Sequence, residues 1–163
     1  MYTVNNFYNL PAPTYTPDSH TALVRAALDR YRLAQLDGWL GKIAAVLTRR
    51  CTGLKNLEKL VAEGHVISRR HVGLRTIALN QICGSEGRSA DFDRRFNPLR
   101  AHTRQRWLNV MLARQQDVPL PPVELIQIGE AYFVRDGHHR VSVARALGET
   151  CIDAEITAWT LAQ

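Results

Sequence analysis

Cysteines are few in this sequence, and their arrangement excludes the usual cysteine-based sites. The three residues, Cys51, Cys83 and Cys151, are odd in number and form no C-x-x-C pair. We therefore predict neither a disulfide framework nor a cysteine zinc site. At 163 residues the chain is also long enough to bury a core without cross-links. These features favour a reducing compartment.

Long apolar runs are also absent. No stretch of about 20 apolar residues occurs, so we expect no transmembrane helix and no membrane partner. Residues 1–17 contain asparagines and three prolines instead of a basic start followed by an apolar run. This composition argues against a signal peptide. We expect an irregular arm at residues 1–17 and a cytoplasmic protein.

Lysine is rare, whereas arginine is abundant. Only three of the 21 basic residues are lysines, and the net charge is +6. Because a guanidinium group suits phosphates and carboxylates, nucleotides and nucleic acids are candidate partners. No long basic run concentrates the charge, so solvated helix faces explain the arginines equally well. The densest basic group comprises Arg69, Arg70, His71 and Arg75. We expect it either to contact DNA or a nucleotide or to lie on a solvated face.

The first part of the chain has a helical pattern. Apolar residues recur at helical spacing from Leu23 to Leu47 and again from Leu54 to Val61. Thr16-Pro17-Asp18 supplies a cap, a first-turn proline and an acidic residue, which predicts a helix start. Gly38 and Gly41 interrupt the pattern and predict a kink or two helices.

After residue 73, strand patterns alternate with helical ones. Predicted strands cover residues 76–82, 123–128, 131–135 and 152–156, and predicted helices begin at Asn97 and Val141. Gly129-Glu130 predicts a hairpin turn, because glycine adopts positive φ readily. The order predicts an α/β (α+β) domain with a small mixed sheet and flanking helices. The predicted division is an irregular arm, a helical extension and this domain, at residues 1–17, 18–72 and 73–163.

The segment Asp136-Gly137-His138-His139-Arg140, here called the 136–140 turn, joins an apolar strand to a helix. Free N–H groups at a helix start bind anions, aided by the helix dipole. We predict that Gly137 lets the backbone approach a phosphate and that Arg140 grips it through two hydrogen bonds. His138 and His139 would add donors or a proton relay. Asp136 would cap the helix, orient a histidine or hold a divalent metal that accompanies the phosphate.

Other constellations are less informative. A plain surface turn is the alternative for residues 136–140, but two adjacent histidines in a short polar turn favour phosphate. Zinc is not favoured, because neighbouring histidines in an extended turn point apart. Ser85 lies between glycines, yet their spacing is wrong for a nucleophile elbow. Asp91 and Asp93 could bind a metal but better suit a salt-bridged surface turn, and Trp39 and Trp107 are predicted to lie in the core.

These elements resemble a known superfamily, which unites the ParB N-terminal domain, sulfiredoxin and the ADP-dependent free-serine kinases. The resemblance runs from Arg75 to Ile156, about half of the chain. It implies that the Gly-x-x-Arg turn from Gly137 to Arg140 binds nucleotide phosphates. It also implies a pocket arginine soon after the first strand, and Arg88 matches that position.

The 136–140 turn also departs from two branches of this superfamily. Sulfiredoxin has its catalytic cysteine where this chain has His138, which argues against sulfiredoxin activity. ParB clamps carry an acidic residue there, followed by two arginines. The Asp-Gly-His-His-Arg form is most similar to the kinase branch, in which an early-loop glutamate acts as a base. Glu86 is the matching carboxylate.

From these observations we predict a nucleotide-binding protein that performs phosphoryl transfer or hydrolysis, as a small-molecule kinase or an NTPase. The expected cofactor is Mg²⁺ with ATP, ADP or CTP, and the expected catalytic residues are Glu86, His138 and His139. A ParB-like DNA-binding or nuclease module is one alternative, and a nucleotide-sensing accessory protein without turnover is another. The helical extension could also form a homodimer.

Overall fold

The computed structural model describes residues 17–48 and 53–162. The helices are α1 (Pro17–Thr48), α2 (Leu57–Ala62), α3 (Arg104–Gln115) and α4 (His138–Ala146). The strands are β1 (Lys55–Asn56), β2 (Val66–Ala78), β3 (Ile82–Ser85), β4 (Val123–Ile128), β5 (Ala131–Asp136) and β6 (Cys151–Leu161). Short 3₁₀ turns cover Leu79–Gln81 and Ala101–Thr103.

The strands form one six-stranded sheet in the order β1-β3-β5-β4-β6-β2. Neighbours β1 and β3, β3 and β5, and β4 and β6 are parallel, whereas β4 pairs antiparallel with β5 and β2 with β6. Parallel and antiparallel pairs therefore occur together, and the predicted mixed sheet with flanking helices is confirmed.

Both faces of the sheet are covered because its strands carry apolar side chains on both sides. Leu125 and Val134 belong to a cluster that includes Val141 of α4. Their neighbours Ile126 and Phe133 instead pack with α2. A third cluster joins α1 and α3, in which the fully buried Trp107 meets the Tyr31 ring edge to face at 5.4 Å. The sheet is thus held between α2 on one face and α3 and α4 on the other.

The hairpin at Gly129-Glu130 is confirmed. Ile128 of β4 pairs with Ala131 of β5, and Gly129 has φ +59°. This positive φ is the conformation that a two-residue hairpin turn requires at its first central residue. The hairpin directs β5 back towards the 136–140 turn.

The first helix differs from the prediction. It begins at Pro17, as predicted, and continues through both glycines to Thr48 as one helix, so the alternative of two helices is wrong. Gly38 is buried, and a Cβ there would lie 3.0 Å from Leu99 Cδ2. The glycine therefore allows close packing on the segment around Leu99. Residues 1–16 and 49–52 lie outside the described residues.

Several predicted boundaries were wrong. Strand β2 begins at Val66, inside the predicted helical extension of residues 18–72, although the division into domains itself stays a prediction. The predicted strand 76–82 is divided between β2 and β3 by a 3₁₀ turn. No helix starts at Asn97, because the Asp93 carboxylate accepts bonds from its N–H and its side-chain amide, at 2.8 and 2.9 Å. Helix α3 begins at Arg104 instead.

Gly84 in β3 provides a test of the sheet packing. An added Cβ would lie 2.2 Å from Cδ1 of Phe133 and 2.7 Å from the Lys55 carbonyl oxygen. We expect Gly84→Ala to lower the free energy of unfolding by about 3 kcal/mol or more, because the core cannot accept the methyl group. Denaturant unfolding measures this change. The control is Gly53→Ala, whose Cβ meets nothing within 4 Å, and an equal loss in both variants would contradict the account.

Candidate functional site

The 136–140 turn joins β5 directly to α4. Gly137 is the N-cap with φ +92°, and the first helical bond runs from the Val141 N–H to the Gly137 carbonyl at 3.0 Å. The preceding N–H groups of α4 consequently have no acceptor within the helix. They and the helix dipole make its start favourable for an anion. The predicted strand-turn-helix arrangement is present, although the helix begins at His138, three residues before the predicted Val141.

Gly137 is explained by protein packing rather than by the close approach of an anion. A Cβ on this residue would lie 2.6 Å from Cγ1 of Val123 and 3.0 Å from Nε of Arg140. The space beside Gly137 is therefore already occupied by the protein. Its positive φ adds a second reason for glycine at this position.

Arg140 fastens the turn to the connector before β4. Its guanidinium donates to the carbonyl of Pro121, to the carbonyl of Pro122 at 2.8 Å and to Oδ2 of Asp136 at 2.6 Å. The side chain is only 13% exposed. These contacts occupy much of the fork that was predicted to grip a phosphate, so Arg140 primarily positions the turn.

His138 points into the core, not towards solvent as the extended-turn prediction implied. Its Nε2 is hydrogen-bonded to the Ser85 hydroxyl at 2.7 Å, and its ring stacks on Phe92 at 6.0 Å. The Ser85 oxygen also accepts the Arg88 N–H at 3.1 Å. Ser85 is fully buried, so its hydroxyl is not exposed as a nucleophile. Its hydrogen bond to His138 instead links β3 to α4. The sequence contained no signal for this pair.

His139 is buried as well, but it lacks a hydrogen-bond partner. It is 8% exposed, and neither ring nitrogen has a partner among the residues that the structure describes. Its ring meets Phe92 edge to face at 5.4 Å. Both nitrogens are covered by the surrounding protein, so the ring borders the cleft without offering either nitrogen to it.

Both histidines are neutral at pH 7. Burial and then the positive charge of Arg88 lower the pKa of His138 from 6.5 to about 4. The pKa of His139 is likewise lowered to about 4, by burial first, then by Arg88 and then by Arg106. A neutral imidazole can donate one hydrogen bond and accept another.

An open cleft of about 520 Å³ lies at this helix start. Its basic side chains come from separate parts of the chain, and its lining contains a single carboxylate, that of Asp136. The cleft lining includes Arg88, Arg106, Arg135, Arg140, Asp136, His139, Asn109, Val110, Leu120 and Pro121. Arg88, Arg135 and Arg140 each have a carboxylate partner, namely Asp91, Glu86 and Asp136. Among the described residues Arg106 has none, so its charge makes the cleft electropositive.

Arg106 and Arg135 were not predicted to belong to the site. Arg106 lies on α3, and Arg135 immediately precedes the 136–140 turn on β5. The structure brings them together with Arg88, which the resemblance did indicate. Helical spacing alone does not show which neighbour an exposed arginine faces, so α3 gave no signal. The position of Arg135 beside the turn was a signal that could have been used.

Glu86, the predicted base, lies next to the cleft rather than in its lining. Its Oε2 accepts a hydrogen bond from Arg135 Nε at 3.0 Å, and both side chains are about one-third exposed. Its N–H donates to the Val134 carbonyl, which holds the loop against β5. Glu86 is thus connected to the cleft through Arg135.

Asp91 is salt-bridged, as predicted, whereas Asp93 is buried and makes hydrogen bonds in place of the predicted surface salt bridge. Asp91 Oδ2 lies 3.2 Å from His102 Nε2 and 3.9 Å from Arg88 Nη1, so it steadies Arg88. Asp93 accepts hydrogen bonds within its own turn. In the described parts of the chain, no group of three or more His, Cys, Asp or Glu side chains could hold a metal ion.

The remaining sequence features lie away from the cleft. Arg69, Arg70, His71 and Arg75 follow β2 along one edge of the sheet. Arg69 stacks on Trp159 at 4.4 Å, and charged side chains are a common protection of an edge strand. DNA binding by this group stays a prediction. Across residues 17–48 and 53–162, no helix combines the length and apolar character needed to cross a membrane.

No family model and no curated protein sequence matches the chain. Among solved structures, it is similar to a sulfiredoxin from Arabidopsis thaliana, with 18% sequence identity and a TM-score of 0.42. The match covers 53% of this chain and 86% of the sulfiredoxin chain.

The two neutral histidines predict a pH-dependent stability. Between pH 6.5 and about 4 the unfolded chain binds more protons than the folded one, so the stability is lost as the pH falls through this range. We expect the free energy of unfolding to fall by about 2–3 kcal/mol for each histidine between pH 7.5 and 4.5. Denaturant unfolding at several pH values measures it.

The variant His139→Phe should remove about half of this extra dependence, because phenylalanine cannot be protonated. The exposed His65 provides the control, and His65→Gln should leave the pH profile unchanged. A profile that stays the same in His139→Phe would show that this imidazole is not the titrating group.

Proposed function

We propose that the chain binds a nucleotide by its phosphates at the start of α4 and uses it for phosphoryl transfer or hydrolysis. One observation carries the proposal. Arg88 and Arg106 line one cleft together with the N-terminus of α4, and no carboxylate among the described residues pairs with Arg106. A phosphate would supply the acceptors that these donors lack.

The size and lining of the cleft favour a ligand larger than inorganic phosphate. Its volume of about 520 Å³ is typical of sites for small organic ligands. Val110, Leu120 and Pro121 form apolar wall on the side of α3 and the connector, and Asn109 adds an amide. Such a lining suits the sugar and base of a nucleotide, while the arginines suit its phosphates.

Within this proposal, the arginines neutralise the negative charge of the phosphates, and the N–H groups at the helix start orient the phosphates. Phosphoryl transfer depends mainly on positioning and on electrostatic stabilisation of the phosphoryl oxygens. Arg88 and Arg106 are the groups available for that stabilisation, while Arg140 and His138 hold the turn through Pro122 and Ser85.

The residues present fit a Mg²⁺ ion that arrives with the nucleotide. Mg²⁺ typically takes one or two protein carboxylates and completes its shell with phosphate oxygens and water. Asp136 is the carboxylate of the turn, and its side chain is 68% exposed. Bound there, the ion would neutralise phosphate charge. The paired Glu86 is the proposed base for the acceptor hydroxyl or water, because Arg135 holds it beside the cleft.

A thermal-shift screen of ATP, ADP, CTP and GTP with Mg²⁺ tests the binding. A ligand at about a hundredfold excess over its Kd should raise the Tm by about 5–10 °C for a chain of this size. We expect Arg106→Ala to weaken nucleotide binding roughly tenfold or more, because it removes a charge-assisted contact. Arg70→Ala on β2 is the control. If no nucleotide raises the Tm, or if the two variants behave alike, the cleft is not the nucleotide site.

The chemistry is tested separately with Glu86→Gln. The substitution preserves the shape but removes the basic carboxylate, so we expect turnover to fall by about two orders of magnitude or more while binding is retained. A coupled assay of phosphate release or transfer measures turnover, and titration calorimetry measures binding. Unchanged turnover would remove Glu86 from the mechanism. Binding without any turnover by the unmodified protein would instead support the nucleotide-sensing alternative.

A further inference from the structure

One face of helix α1 packs against the rest of the protein. Ala27, Tyr31, Ala34 and Gly38 are buried along it. Tyr31 packs on Trp107 of α3, and its hydroxyl lies 3.4 Å from the Thr103 hydroxyl. This face is the one that the packing of the monomer requires.

The opposite face carries a second apolar stripe, here called the α1 stripe. Its members recur at alternating steps of three and four residues and are between 40% and 79% exposed. They are Leu33, Leu36, Leu40, Ile43 and Leu47. At about 100° per residue, the stripe lies roughly 180° around the helix from the buried face. Trp39, predicted to lie in the core, is instead 60% exposed beside the stripe.

The α1 stripe is too extensive to be incidental. Exposed large apolar side chains elsewhere in the described residues are isolated ones, namely Ile67, Leu74 and Val118. On α1 they are consecutive over more than three helical turns and continue into a groove of about 480 Å³ beside Pro98 and Leu99. A contiguous patch of several hundred Å² indicates an interaction site.

The spacing and charge of the stripe identify its occupant. Apolar residues at alternating steps of three and four, as in the α1 stripe, form the seam by which one helix packs against another helix with the same repeat. In the described part of the chain, the other helices present no such exposed repeat, and a second copy of α1 does. The five members of the α1 stripe are uncharged, and Arg32 and Asp37 flank the stripe on opposite sides. A second copy packed in parallel would place Asp37 of each chain beside Arg32 of the other, which is the charge pairing that favours two such helices together.

We propose that two copies of this chain associate through the α1 stripe. The pairing is isologous, since each copy supplies the same seam and the same groove lined by Leu36 and Trp39. A stable interface takes about 800 Å² from each partner, so the pairing would extend over the α1 stripe, Trp39 and the adjoining groove. The proposal is independent of nucleotide binding, because the cleft lining contains no residue of α1.

Sedimentation equilibrium of the full chain over a roughly hundredfold concentration range tests this association. We expect a mass of two 18.4 kDa chains that dissociates on dilution. Leu40→Glu should give a monomer, because it places two like charges in the seam. Circular dichroism should show an unchanged helix content, since Leu40 is 56% exposed in the monomer.

The matched control is Leu74→Glu, which changes an equally exposed leucine on β2 (57%) and should leave the dimer intact. A milder seam variant, Leu40→Ala, should weaken the dimer without abolishing it, even if Leu40→Glu fails to fold. An unmodified chain that stays monomeric throughout the range would overturn the proposal. So would a monomer that binds lipid vesicles, or equal loss of the dimer in the control.

Discussion

The contact between Gly137 and Val123 determines where α4 begins, and the rest of the site depends on it. A Cβ at Gly137 would lie only 2.6 Å from Val123 Cγ1, so any other residue would move the turn away from β4. Arg140 secures the same junction by bonding the carbonyls of Pro121 and Pro122. With the helix start fixed there, its unpaired N–H groups face the cleft.

The inward direction of His138 is a consequence of that placement. Once α4 starts at this point, the imidazole reaches the Ser85 hydroxyl, which in turn accepts the Arg88 N–H. A chain of hydrogen bonds therefore runs from α4 through β3 to a cleft arginine. Because buried hydrogen-bonded groups hold their geometry well, this chain positions Arg88 before any ligand arrives.

The arginines of the cleft act on its histidines as well as on any ligand. Burial is the largest cause of the lowered pKa of both imidazoles, Arg88 is the next, and Arg106 adds to the effect on His139. The same positive charges favour an anion in the cleft. Perturbed pKa values and converging charges occur together at functional sites more often than elsewhere. Helix α1 does not belong to this network. One of its faces packs on α3, and the α1 stripe on the other face is the surface proposed to bind a second copy of the chain.

Local signals in the sequence were enough to predict the strand, the hairpin and the helix around the 136–140 turn, because glycine conformation and apolar alternation depend on neighbouring residues. They also predicted that Gly137 and Arg140 bind a phosphate, whereas Arg88 was indicated only by the family resemblance; all three residues line the cleft. The tertiary structure alone decided that Arg106 and Arg135 join Arg88, that Glu86 pairs with Arg135, that both histidines turn inward and that Trp39 is exposed. These outcomes depend on contacts between residues tens of positions apart, and no local periodicity or cap encodes which distant side chain will be the neighbour.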